Sequence, residues 1–217
     1  MAYDLEEQEQ LASLKAFWTK YGNAIVWVAI IALGSYSAFN FYKMRVSSQA
    51  AEASALYEQQ QVAMQAKDNA KVQRIATDIE TKYDSSSYAQ MSALGAAKSA
   101  FDAGDLKAAK TQLDWVIAHG NEEYKSVAKL RLAGVLLDEK AYDEGMKLLA
   151  TPFLPQFAGS VADRKGDILV AQNKLAEARS AYQAALDAMD KSAPGRQLVQ
   201  IKLEAIGGTV ATPKAAA

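Results

Sequence analysis

Residues 21–42 form a run of 22 without a single formal charge, bracketed by Lys20 and Lys43. A helix over that run is about 33 Å long at about 1.5 Å per residue, against a bilayer hydrocarbon core of about 30 Å. Its centre, Ile25-Val26-Trp27-Val28-Ala29-Ile30-Ile31-Ala32-Leu33, is apolar all round. No polar face is left for water, which argues against a buried core helix. Trp18, Tyr21, Tyr36, Phe39, Phe41 and Tyr42 flank it with rings suited to the lipid–water interface. The run predicts one transmembrane helix at 21–42 after a short tail at 1–20. Its anchor residues are Tyr21, Ile25, Trp27, Ile30, Ile31, Leu33, Tyr36, Phe39 and Tyr42.

A cleaved signal peptide is the rival, because Ser35-Tyr36-Ser37 offers small residues at cleavage spacing. Against it, Asp4, Glu6, Glu7 and Glu9 precede the run where a signal peptide carries positive charge, and the apolar stretch continues through Phe39, Phe41 and Tyr42. Lys15 and Lys20 before the helix balance Lys43 and Arg45 after it, so the positive-inside rule leaves orientation open.

Beyond residue 43 the pattern is helical. Pro is rare at 4 residues, and runs of Val, Ile or Thr are few. Three segments align on a turn between two helices: Ala103-Gly104-Asp105-Leu106, Glu139-Lys140-Ala141-Tyr142 and Gln172-Asn173-Lys174-Leu175. The markers Leu106, Tyr142 and Leu175 are 36 and 33 residues apart. Three positions after each lies a small residue (Ala109, Gly145, Ala178), and nine before lies another (Ala97, Ala133, Gly166). Seven after lies a bulky one (Leu113, Leu149, Tyr182). Antiparallel helices approach closely only where small residues meet at the crossing, and the bulky residue fills the gap against the next hairpin. Period and pattern together resemble the tetratricopeptide repeat.

One more hairpin, of unclear register, is expected upstream at 49–83, turning at Lys67-Asp68-Asn69 with Leu56, Val62, Val72, Ile75 and Ile79 on its apolar side. Pro152 and Pro155 end the second helix of the third hairpin early, and Ser160 is the expected N-cap of the next helix. Phe153, Leu154 and Phe157 are expected in the core. A final helix from Ser192 to about Ile206, with Leu198, Ile201 and Leu203 apolar, caps the array. The prediction is an all-α chain: a transmembrane helix, a right-handed solenoid of tetratricopeptide-like helical hairpins over 43–208 with a C-terminal capping helix, and a disordered tail at 209–217.

No catalytic, metal-binding or cofactor-binding residue stands out. Cysteine is absent, which excludes disulfides and thiolate chemistry, and His119 is the sole histidine, placed at a helix end before Gly120. No phosphate-binding loop follows a strand. With 24 basic and 25 acidic residues the chain lacks the basic footprint of a nucleic-acid binder. What a repeat array offers is a concave surface. Its expected lining is Met91, Leu94, Lys98 and Phe101, then Val127, Leu130, Gly134 and Leu137, then Asp163, Asp167 and Val170. That set is apolar at one end and acidic at the other, and suits an amphipathic helix or unfolded apolar segment. The chain's own last helix is the competing occupant. The Lys/Asn pattern that clamps a terminal carboxylate in some such repeats is absent.

The order of parts resembles the ancillary SecYEG translocon subunit family. The resemblance rests on Leu14-Lys15-Ala16-Phe17-Trp18, Tyr21-Gly22-Asn23-Ala24, Ala53-Ser54-Ala55-Leu56-Tyr57 and Lys129-Leu130-Arg131-Leu132-Ala133. It extends to Val161-Ala162-Asp163-Arg164-Lys165-Gly166-Asp167 and Ala178-Arg179-Ser180-Ala181-Tyr182. It implies a bacterial inner-membrane protein, single-pass, with residues 1–20 cytoplasmic and the repeat domain periplasmic. The implied partners are the SecYEG translocon, a membrane-anchored periplasmic chaperone and unfolded secretory proteins, with no enzymatic activity. A cytoplasm-facing adaptor that recruits soluble partners is the alternative reading of the residues themselves, and a cell-envelope enzyme a remoter one.

Overall fold

Apart from one short 3-10 turn, α-helix is the only regular structure among the described residues. The computed structural model describes the backbone of residues 2–209 and the side chains of residues 7–209; the expected tail beyond Thr209 lies outside the described residues. The chain divides into two compact units, Met1–Ala51 and Glu52–Ala217.

Helix α1 (Ala2–Gln65) provides the described part of the first unit and the opening helix of the second. No Gly or Pro occurs between Gly34 and Gly95, so no residue in that stretch breaks it. All nine expected anchor residues are exposed, from 42% at Ile25 to 67% at Tyr42. Among the described residues α1 is the helix long and apolar enough to cross a membrane, and none of its apolar window is buried. Large apolar side chains displayed on every side of a helix are foreign to a water-soluble core element.

The second unit is a row of helical hairpins. The end of α1 pairs with α2 (Asn69–Lys82), α3 (Ser87–Asp102) with α4 (Leu106–His119), α5 (Glu122–Asp138) with α6 (Tyr142–Leu149), and α7 (Ala158–Ala171) with α8 (Leu175–Ala188). Helix α9 (Arg196–Ala205) closes the row against α8. All four hairpins turn in the same way. Lys67, Gly104, Lys140 and Asn173 take left-handed φ values of 56°, 78°, 61° and 60°. The next amide in each donates to the carbonyl five positions back: Asp68 to Ala63 at 3.0 Å, Asp105 to Ala100 at 2.9 Å, Ala141 to Leu136 at 2.8 Å and Lys174 to Leu169 at 2.8 Å. The left-handed residue's own amide donates three positions back, as from Gly104 to Phe101 at 2.9 Å. This is the Schellman ending, which satisfies the last carbonyls of one helix while aiming the chain into the next. Only Gly104 enters the left-handed region without a Cβ penalty.

The small residues predicted at the crossings, Ala97 and Ala109, Ala133 and Gly145, Gly166 and Ala178, are all buried. A Cβ on Gly145 would lie 2.9 Å from Ile168 Cδ1, and one on Gly166 would overlap the Tyr182 ring. Tyr182 therefore fills space inside its own hairpin, over Gly166, as well as joining the terminal cluster with Val199 and Leu203.

Aligning the turns places the first hairpin in register. Asn69 takes the position of Leu106, so Gln60, Val72 and Ala76 stand where the other hairpins carry small, small and bulky residues. The volumes are inverted. Gln60 is fully buried, and its Nε2 donates to Ser92 O at 3.0 Å, anchoring α1 to α3. A polar residue in the small position is why the register was illegible in sequence. Val62, expected on the apolar side, is 63% exposed.

Two further expectations need correction. Helix α6 does end early, at Leu149, but a 3-10 turn at Pro155–Phe157 runs straight into α7, so Ser160 lies inside the helix and Phe157 precedes it without a side-chain cap. Pro155 at the first position, with its φ preset, starts the turn instead. Phe153 packs on the Ala133–Leu149–Ile168 cluster, beneath Lys129 Nζ at 5.3 Å from its ring centre. In α9 the buried pair is Val199 and Leu203, one turn apart, while Leu198 and Ile201 are exposed.

Between the first two hairpins, Glu80 on α2 is half-buried and its Oε1 has no hydrogen-bond partner. Burial raises its pKa from 4.5 to about 7, opposed by the nearby charge of His119, whose ring stacks on Trp115 at 4.7 Å. A carboxyl whose pKa is raised by folding stabilises the fold most below its ordinary value, and that contribution is lost as pH rises to about 7.

Two measurements test this account of the packing. Gly166→Ala is expected to cost about 1–3 kcal/mol in urea unfolding, the usual penalty for overpacking, and adding Tyr182→Leu should recover part of it. Glu80→Gln is expected to be more stable than the parent by about 1–3 kcal/mol at pH 8 and by much less at pH 4.5. A gain independent of pH contradicts the assignment.

Candidate functional site

Helices α3, α5 and α7, the first of successive hairpins, share one side of the array, with α5 touching both of the others. A pocket of about 380 Å³ opens there. Its walls are Ala97, Lys98 and Phe101 of α3, Leu113 of α4, Arg131, Gly134, Val135 and Asp138 of α5, and Arg164 of α7.

Of the residues expected in the groove, Lys98, Phe101 and Gly134 line this pocket. Lys98 and Phe101 are exposed. Leu94 is buried within the α3–α5 core, and Val127 packs half-buried against that core. Leu130 and Leu137 lie half-buried against Ala133, Leu149 and Ile168, and Val170 on the terminal cluster. Met91 is half-buried outside the pocket. The cause is helix phase. On α5 the open stripe is Arg131, Gly134, Asp138, one residue away from the Leu130, Gly134, Leu137 stripe that supports the fold. The signal for Arg131 was present in the sequence as an i, i+3, i+7 series with Gly134 and Asp138. Arg164 has no such local signal, since it comes from another hairpin.

Arg131 and Arg164 alter the electrostatics of the concave face. Arg131 Nη1 donates to the Leu94 carbonyl at 3.2 Å, and burial lowers its pKa from the ordinary value. The Arg164 guanidinium rests on Gly134: a Cβ there would sit 3.5 Å from Arg164 Cζ. Arg164 reaches Asp167 only at 3.4 Å, while Asp167 receives Lys202 Nζ at 2.8 Å and the Tyr182 hydroxyl at 2.9 Å. Lys202 also bonds Asp163 at 2.8 Å. Burial raises the Asp163 pKa, and the Lys202 hydrogen bond partly opposes that.

Lys202 belongs to α9, so the acidic end of the expected groove, Asp163 and Asp167, is paired with the chain's own terminal helix and with Arg164. No α9 residue lines the pocket. What stays open is a basic hollow with an aromatic rim. Among the described residues there is no group of three or more His, Cys, Asp or Glu placed to hold a metal ion.

Residues 15–208 match a family described as a tetratricopeptide repeat-like domain. The chain is 34% identical over 212 residues to a Neisseria gonorrhoeae protein named ancillary SecYEG translocon subunit, covering 95% of this chain and 100% of that relative. Proteins of the same name from Aggregatibacter actinomycetemcomitans and Escherichia coli are 28% and 27% identical, covering 94% and 91% of this chain and 98% and 95% of each relative. No solved structure matches the chain.

Proposed function

Because this chain belongs to the ancillary SecYEG translocon subunit family, we propose that it is a non-enzymatic scaffold held at the SecYEG protein-export channel. In this reading residues 21–42 cross the inner membrane, residues 1–20 are cytoplasmic, and the repeat domain at 43–208 lies in the periplasm. There it helps pass emerging chains to a membrane-anchored periplasmic chaperone. The observation that carries the reading is the open concave pocket, which the terminal helix leaves free on a domain bearing an exposed apolar helix.

The physical logic is one of confinement. Tethering the repeat domain to the membrane in which the channel sits raises the effective concentration of its contacts, so weak, exchangeable binding suffices. Exchangeability suits a hand-off, because a chain must leave as readily as it arrives. An open hollow serves that better than a deep, closed site. Met91, Leu94, Val127, Leu130 and Leu137 then act by shaping the helices beneath the hollow, while Lys98 and Phe101 meet the partner.

A truncated chain beginning at Ser47 is expected to stay soluble and helical by circular dichroism, yet to lose co-purification with the channel. Retained co-purification counts against the anchor's role. Charge leaves the cytoplasm-facing adaptor open, and a C-terminal alkaline phosphatase fusion decides it: active enzyme is expected, and inactive enzyme places the domain in the cytoplasm.

A further inference from the structure

The pocket between α3, α5 and α7 has three cationic side chains in its walls, Lys98, Arg131 and Arg164, and one acid, Asp138. Lys98 is neutralised by an ion pair with Asp102 one turn on. Arg131 has no such acid, and Arg164 has only a long pair to an acid it shares. Arg131 uses one of its five N–H donors on a neutral carbonyl, that of Leu94. Arg164 pairs with Asp167 Oδ2 at a long 3.4 Å, while Lys202 Nζ and the Tyr182 hydroxyl bond the other oxygen, Oδ1. A guanidinium with no acidic partner, beside one whose ion pair is long, favours an incoming carboxylate, with which arginine forms charge-assisted, often bidentate hydrogen bonds.

The remaining wall is apolar: Ala97, Leu113, Val135 and the ring of Phe101, which is 41% exposed. At about 380 Å³ the hollow is near the low end of ligand pockets, which span about 300–1,000 Å³. That is room for one or two side chains, and too little for a helix of about 10 Å diameter.

We infer that this pocket receives an acidic side chain from an extended segment of a partner protein, with Arg131 and Arg164 holding the carboxylate and Phe101 covering an adjacent apolar side chain. The inference deepens, and rests on, the reading of the repeat domain as a partner-binding scaffold. It replaces a purely apolar occupant with an acidic-apolar one, because the polarity of the hollow is set by the arginines. The Arg164 guanidinium lies beside Gly134 of α5, where an added Cβ would be 3.5 Å from its Cζ. Asp138 at the edge disfavours a second acid on that side, so the segment carries one acid beside its apolar residue.

The test uses the full chain in detergent micelles. The probe is a fluorescein-labelled peptide containing Ser-Gly-Glu-Phe-Leu-Gly-Ser, with amidated C-terminus, and two twins, one with Gln for Glu and one with Ser for Phe and Leu. Fluorescence anisotropy is expected to give saturable binding of the first, about tenfold weaker binding of each twin, and weakening on raising salt from 50 to 300 mM. Arg131→Gln with Arg164→Gln is expected to weaken the first peptide about tenfold and to abolish its advantage over the Gln twin.

Phe101→Glu, at an exposed position, adds a competing carboxylate without touching either arginine's contacts and is expected to weaken binding similarly. It keeps the test valid if the double variant is misfolded by circular dichroism. Equal binding of the Glu and Gln peptides, or unchanged binding by Phe101→Glu, overturns the inference. So does binding of phosphatidylglycerol vesicles by the parent that is lost in the double variant while the peptides do not bind. Co-purification with the channel is measured alongside. If it persists while the acidic peptide fails, this inference falls alone; if it is absent in the parent, the scaffold reading falls.

Discussion

How closely two helices approach within a hairpin depends on the sum of side-chain volumes at their crossing, and everything else in the repeat domain follows from that distance. Where the sum is small, as at Ala133 with Gly145, the helices approach until the neighbouring Ile168 leaves no room for even one added methyl. The four Schellman turns hold the entry angle constant, so the hairpins repeat with one geometry even though only one of the four uses glycine at the left-handed position. The first hairpin satisfies the same constraint by another route. It buries Gln60 at the crossing, where Nε2 bonds Ser92 O while Oε1 is left without a partner, and it keeps only Ala76 where a bulky side chain otherwise stands.

That regular spacing decides the chemistry of the concave face. With α3, α5 and α7 in parallel phase, residues far apart in sequence come to share a wall. Arg164 lies on the backbone of Gly134, 30 positions earlier in the sequence. Meanwhile α9 brings Lys202 to Asp163 and Asp167, withdrawing from the surface the two acids that made one end of the groove look negative. The cap thus removes an unpaired-carboxylate problem at the end of the array and leaves the basic hollow as the unclaimed feature of that side.

Glu80 and Tyr182 show two different consequences of tight packing around a polar group. Tyr182 keeps its hydroxyl satisfied by Asp167 while its ring covers Gly166, so bulk and polarity are both accommodated. Glu80 has one oxygen buried with no partner, and the response is a carboxyl that resists ionisation. The contrast follows from supply: α7 and α9 present an acid and a cation beside Tyr182, whereas the charge that opposes burial at Glu80 is that of the His119 ring, already donating from Nδ1 to Trp115 O at 2.9 Å.

Local and periodic properties were legible in the sequence: an uncharged run of membrane-spanning length, the helical class, three hairpin turns, and the six small residues at their crossings. Each depends on residues a few positions apart, or on a repeat whose period can be counted. The register of the first hairpin was not legible, since its volumes are inverted, nor was the start of α7, since a turn from Pro155 leads into that helix ahead of Ser160, its expected N-cap. The pocket needed the tertiary structure for a stricter reason. Helix phase on α5 differs by one residue between the supporting stripe and the open one, and only packing against α3 and α7 selects between them. The meeting of Arg164 with Gly134, and of Lys202 with Asp163, is set by how whole helices stack, an angle and a distance to which no local pattern in the chain corresponds.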